Sequence, residues 1–153
     1  MLWCHRDLVN NPLYFALCVN KKQFRKAQRH LKLPKKEYRS FMKHGAAGAT
    51  THFYEKDDGN IAAIVCMPLT TDKSIEQIFG LLVHEAVHIW QEVRELLGEE
   101  SPSSEFEAYS IQTISQRLFE KYSERLEHEN RKQSGGASGA AGDGKDNLPN
   151  REG

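Results

Sequence analysis

Apolar and polar residues fall along this chain in blocks of differing period, and the blocks predict its elements. Pro12 to Val19 is short, aromatic and apolar, and Asn20 behind it is a good helix cap, which predicts a buried strand running into a helix. That helix, about Lys21 to Leu31, carries Phe24, Ala27 and Leu31 on one side and Lys21, Lys22, Arg25, Lys26 and Arg29 on the rest, with Pro34 to end it. Lys35 to Met42 is expected to add another helical turn or two. Ala46 to Ala49 breaks the pattern. Thr50 to Glu55 and Ile61 to Met67 then bring β-branched and aromatic residues on either side of Lys56-Asp57-Asp58-Gly59-Asn60, whose turn chemistry predicts a hairpin.

The longest pattern runs from Ser74 to Leu97. Plotted at about 100° per residue, its apolar positions Ile75, Ile78, Phe79, Leu82, Val83, Ala86, Val87, Ile89, Trp90, Val93, Leu96 and Leu97 fill most of the circumference, which predicts a helix buried in a core. The remaining arc holds Gln77, His84, Glu85, His88, Gln91, Glu92 and Glu95, with Leu81 intruding. Thr70, Thr71 or Asp72 is expected to cap this helix, and Gly98 to close it. After a short link, Glu105 to about Arg131 forms the last helix, with Ile111, Ile114 and Leu118 on one face. From Gln133 onward Gly, Ser, Ala, Asp and Asn replace any apolar periodicity, so a disordered tail is expected. The expected layout is one domain over residues 1–132 and a tail over 133–153, with no internal repeat.

Within the polar arc, His84-Glu85-Ala86-Val87-His88 is an HExxH pattern. Two imidazoles four residues apart on a helix are offset by only about 40° and can reach one ion, while the Glu lies about 100° round from the first His, near the metal without ligating it. The chemistry this arrangement suits is Zn2+ held by His84 and His88, with Glu85 as general base. The plainer alternative is two partly exposed histidines beside an ordinary glutamate.

At 153 residues the chain suits one compact domain, and a mean hydropathy of −0.65 argues for a soluble product. No apolar run is long enough to span a bilayer, and Met1 to Asp7 lacks the regions of a signal peptide, so a cytoplasmic protein with no membrane partner is expected. Cys4, Cys18 and Cys66 are isolated and odd in number, in keeping with reduced thiols. Lys and Arg together number 21, as do Asp and Glu, giving a formal net charge of zero. The charges are not mixed evenly: residues 21–43 carry ten Lys and Arg against the single acid Glu37, whereas 72–129 is rich in acids. Either the two halves attract each other across the fold, or the basic stretch meets an anionic partner, with weak nucleic-acid contact the form expected.

With HExxH at His84 to His88 and Glu107-Ala108-Tyr109-Ser110-Ile111-Gln112 downstream, the chain resembles the small zincin-type metallopeptidases, in the gluzincin layout where a Glu of the following helix is the third zinc ligand. It is similar above all to the compact metallopeptidases encoded by phages, for which the host cytoplasm would be the location. The resemblance covers roughly Thr50 to Leu118. It implies an α+β, minimal zincin-like fold, with a small antiparallel or mixed sheet whose hairpin packs on a buried HExxH helix, followed by a long helix. It further implies a sheet edge above that helix where an extended protein or peptide substrate adds as a strand, and peptide-bond hydrolysis by a metal-activated water with Glu85 as base. There is no third His at metzincin spacing and no NExxSD sequence, so the oxyanion-stabilising group is open, with Tyr109 and His52 as candidates beside their plainer reading as packing residues.

The third ligand lies between Glu105 and Glu107. Glu107 shares the face of Ile111, Ile114 and Leu118, which must point into the core, and is favoured for that reason. The alternative is a capping box in which Ser104 caps the helix and Glu107 folds back onto its backbone. A second functional class also stands: a nucleic-acid-associated or partner-binding module that uses the basic 21–43 stretch and keeps zinc for structure alone.

Overall fold

The computed structural model describes residues 13–43, 47–56, 59–70 and 72–136. Three strands, β1 (Leu13–Cys18), β2 (Thr50–Glu55) and β3 (Ile61–Cys66), form one mixed sheet in the order β1-β3-β2, with β3 parallel to β1 and antiparallel to β2. Helices α1 (Lys21–His30), α2 (Ile75–Leu97) and α3 (Ser104–Gly136) complete the α+β fold. The hairpin, the mixed sheet and the long helix after the HExxH helix follow expectation.

Strand alternation sorts the sheet into two layers. Leu13, Phe15 and Leu17 of β1 and Ala63 and Val65 of β3 face α2 and α3, in a core with Leu82, Ile89, Trp90, Ile114, Leu118 and Tyr122. Cys18, Ile64, Cys66 and Tyr54 face the other way, onto Phe24 and Ala27 of α1 and onto Phe41. Because both faces are covered, β1 and β3 read as unbroken apolar runs rather than alternating ones.

The caps show where local chemistry was decisive. Asn20 accepts from Gln23 N–H and starts α1 as expected. The helix stops before Pro34: Leu31 is its C-cap and Lys32 takes a left-handed φ of 58°. Of the helical turn or two expected over Lys35 to Met42, a single 3-10 turn forms, Lys35–Glu37. The cap of α2 is Ser74, not Thr70, Thr71 or Asp72; its side chain and that of Gln77 bond reciprocally to each other's backbone. Gly98 closes α2 with φ 67°, while Gly98 N–H donates to Glu95 O and Glu99 N–H to Arg94 O. Helix α3 continues to Gly136, into the segment expected as a tail; residues 137–153 lie outside the described ones.

Helix α2 is buried on one side only, which corrects the expectation of burial nearly all round. Ile78, Leu82, Glu85, Ala86, Ile89, Trp90 and Val93 are buried, whereas Ile75, Val83, Leu96 and Leu97 are exposed. Among the described residues its cover is one face of a three-stranded sheet and one neighbouring helix. Among the described residues no helix is long and apolar enough to cross a membrane.

Candidate metal centre

Since residues advance about 100° each, placing His84 at zero puts His88 at about 40°, Glu85 at about 100° and Trp90 at about 240°. The buried arc of α2 therefore begins at Glu85 and ends at Trp90, and the two histidines lie outside it, exposed. Strand β2 meets the helix on the Glu85 flank, through Thr51. Helix α3 meets it on the Trp90 flank, through Glu107. His84 and His88 thus lie on the solvent-facing arc of α2, between the flank met by β2 and the flank met by α3.

The two imidazoles converge. Their Nε2 atoms are 3.1 Å apart, with the ring planes at 84°. Two nitrogens bound to one tetrahedral zinc at about 2.0–2.1 Å stand about 3.3 Å from each other, so the pair needs almost no movement to share an ion. On the far side of the second ring, His88 Nδ1 lies 3.2 Å from Gln91 Oε1. An amide oxygen only accepts, so in this orientation Nδ1 carries the proton and the Nε2 lone pair faces His84 Nε2.

Glu85 is only 5% exposed although it borders the polar arc. What makes burial tolerable is Thr51, whose hydroxyl donates to Glu85 Oε2 at 2.5 Å. Thr51 comes from the sheet face opposite His52, as alternation requires. The chain before β2 also approaches α2 closely: a Cβ added to Gly48 would stand 2.8 Å from Leu81 Cδ1, one turn before His84, so a side chain there would make the Leu81 side chain shift.

Glu107 is half-buried and turned towards α2, with Oε1 accepting from Trp90 Nε1–H at 2.8 Å; Glu105 is exposed. The capping box of Ser104 and Glu107 is absent. Instead Ser103 does the capping, its Oγ accepting from Phe106 N–H and its carbonyl from Glu107 N–H. Among the described residues no three His, Cys, Asp or Glu side chains form a group that could hold a metal, so Glu107 stands across the Trp90 flank rather than beside the histidines. The donor set in place is two imidazoles of the right separation, with one carboxylate next to them and another one helix away.

His52 is not at this site. It is 1% exposed in the opposite layer, stacked on Phe24 with centroids 4.9 Å apart and with Nε2 3.3 Å from Phe41 O. Burial holds its pKa below the ordinary value, the bond to Phe41 O opposes this, and nearby Lys43 and Arg39 add to the lowering. Tyr109 is 63% exposed on α3. Two contributors went unrecognised in the sequence. Gln91 shows a signal, three residues beyond His88 and in the same polar arc; Thr51 shows none, since its partner lies 34 positions away. No family model, curated protein or solved structure matches the chain.

Proposed function

We propose that the chain is a zinc-dependent peptidase of the cytoplasm, with His84 and His88 as zinc ligands, Glu85 as general base, and Glu107 as the third ligand once its side chain turns from Trp90 towards the histidines. The observation that carries this reading is the juxtaposition of two Nε2 atoms 3.1 Å apart with a buried carboxylate keyed to the edge strand. When bound, zinc supplies a water with its pKa lowered to about 7 and a Lewis acid for a carbonyl. With Glu85 Oε2 accepting from the Thr51 hydroxyl, Oε1 would be the oxygen that takes a proton from the attacking water and returns it to the leaving amine. Among the described residues no strand pairs with the outer edge of β2, so a peptide can add there by main-chain hydrogen bonds, next to Glu85.

A purely structural zinc site fits less well. Such sites are closed and fully ligated by protein, whereas these histidines are exposed on the outer arc of α2. The buried, unpaired Cys18 and Cys66 support a reducing compartment. The deciding experiment measures zinc content and hydrolysis of a quenched fluorescent peptide library, for the full chain and for Glu85→Gln. Retained zinc with lost hydrolysis in the variant is expected; equal hydrolysis by both proteins would overturn the reading.

A further inference from the structure

The densest positive charge lies on α1, in the layer on the other side of the sheet from α2. Lys21, Lys22, Arg25, Lys26 and Arg29 are exposed there. Among the described residues Lys21, Lys22 and Arg25 take part in no ion pair. Segment 38–42 folds back beside the helix and leaves a cleft of about 590 Å³ whose lining includes Lys21, Arg25, Gln28, Tyr38 and Arg39. A second hollow, lined by Lys21, Lys22, Arg25, Arg29 and Tyr38, continues it along α1. No carboxylate lines either one.

A polar group at the base of the cleft makes this more than a solvated face. Gln28 is 0% exposed, and its Oε1 accepts from Arg39 N–H at 2.8 Å and from the Tyr54 hydroxyl at 3.3 Å. A backbone N–H only donates, so the amide cannot be turned round and Nε2 must point elsewhere. That Nε2 is buried with no acceptor. Donors in such a position are destabilising until an oxygen reaches them. The surrounding cations say which kind of oxygen: Arg25 and Lys21 form the wall, and Arg39 is held at the rim with its guanidinium 4.8 Å from the Tyr54 ring centroid.

We propose that this cleft binds a phosphate group, with Lys21, Arg25 and Arg39 around it and Gln28 Nε2 as the neutral donor beneath. The phosphate comes from a nucleic-acid strand or from a small phosphate compound, and the chemistry at the cleft is the same for both. A strand would run on past Lys22 and Arg29, since Lys21 to Arg29 spans about 12 Å of helix, and Tyr38 offers a ring on which a base can stack. This site owes nothing to zinc chemistry.

The test uses the full chain, with a labelled single-stranded oligonucleotide followed by fluorescence anisotropy and inorganic phosphate followed by NMR shifts, including the Gln28 side-chain amide. Replacing Lys21 and Arg25 by Ala is expected to weaken binding about tenfold and to lower the salt slope by about two. Replacing Lys35 and Lys36 by Ala removes the same charge outside the cleft and should change affinity less than about threefold. Gln28→Glu keeps the acceptor for Arg39 N–H and Tyr54 and puts a carboxyl oxygen where the amide donor was, so it should weaken binding of both probes, with a lowered melting temperature expected from burying that carboxyl. Shifts with phosphate alone identify a small-phosphate site, and a response to the oligonucleotide alone identifies a strand site. Equal weakening by the two double variants, or no binding of either probe, overturns the proposal.

Discussion

The Thr51 hydroxyl donates to Glu85 Oε2 at 2.5 Å, joining the edge strand β2 to the HExxH helix at the carboxylate proposed as base. This one bond orients the carboxylate and sets the distance between the strand that would receive a peptide and the group that would act on it. Thr51→Val removes the donor at nearly constant volume. Leaving a buried carboxylate short of a donor is expected to cost about 1–3 kcal/mol of stability, with kcat lowered and zinc content unchanged. Thr51→Ser should restore most of both. A valine variant with wild-type kcat and melting temperature would show that the bond positions nothing.

The second prediction concerns the pair of rings. His84→Ala should abolish stoichiometric zinc binding. Gln91→Leu, which removes only the acceptor at His88 Nδ1, is expected to lower zinc affinity about 10- to 100-fold, because the ring loses the partner that fixes its tautomer and orientation. Competition with a fluorescent chelator measures both. Unchanged affinity in Gln91→Leu would mean that His88 is held by the helix alone.

Acid stability provides a third. His52 is buried with its pKa below the ordinary value of 6.5, chiefly through desolvation, so the folded state disfavours its charged form. The unfolded chain then binds the proton more readily, and stability is fully present above the unfolded value and lost as pH falls through it towards the folded one. Melting temperatures taken in chelator should therefore drop between about pH 7.5 and pH 5, and His52→Phe, which can keep the stack on Phe24, should flatten that drop. Parallel curves would assign the acid sensitivity to other groups.

How much of this was legible along the chain depends on the range of the interaction concerned. Asn20, the turn before Ile61 and Gly98 act through neighbours three to five residues away, and all three stand where local chemistry puts them. Ser74 was legible too, as the first residue of Ser74-Ile75-Glu76-Gln77, but the more distant Thr70 to Asp72 competed with it. Burial was harder. Plotting apolar residues on a wheel shows which faces could be covered, not how many neighbours exist to cover them, so Val83, Leu96 and Leu97 were expected inside and are exposed. Glu85 errs the other way: it borders a polar arc and is nevertheless buried, because a strand residue far off in sequence supplies its donor. The unpartnered Gln28 amide is of the same kind, since its orientation is set by Arg39 and Tyr54 from two other segments.

The sharpest prediction separates the two roles open to Glu107. Its Oε1 accepts from Trp90 Nε1–H, which ties the start of α3 to the buried flank of α2, and ligation would use the other oxygen. An amide can replace the first role and not the second, since a glutamine oxygen accepts from an indole N–H but is a far weaker zinc ligand than a carboxylate. Glu107→Gln should therefore preserve the fluorescence of Trp90 and the melting temperature of the metal-free protein, while lowering zinc affinity. Glu107→Ala should lower both, the loss of the bond at a buried indole costing about 1–3 kcal/mol. Glu105→Ala should change neither, because that side chain is exposed. If Glu107→Gln binds zinc as tightly as the natural chain, Glu107 is a tether for Trp90, and the third ligand position belongs to water or substrate.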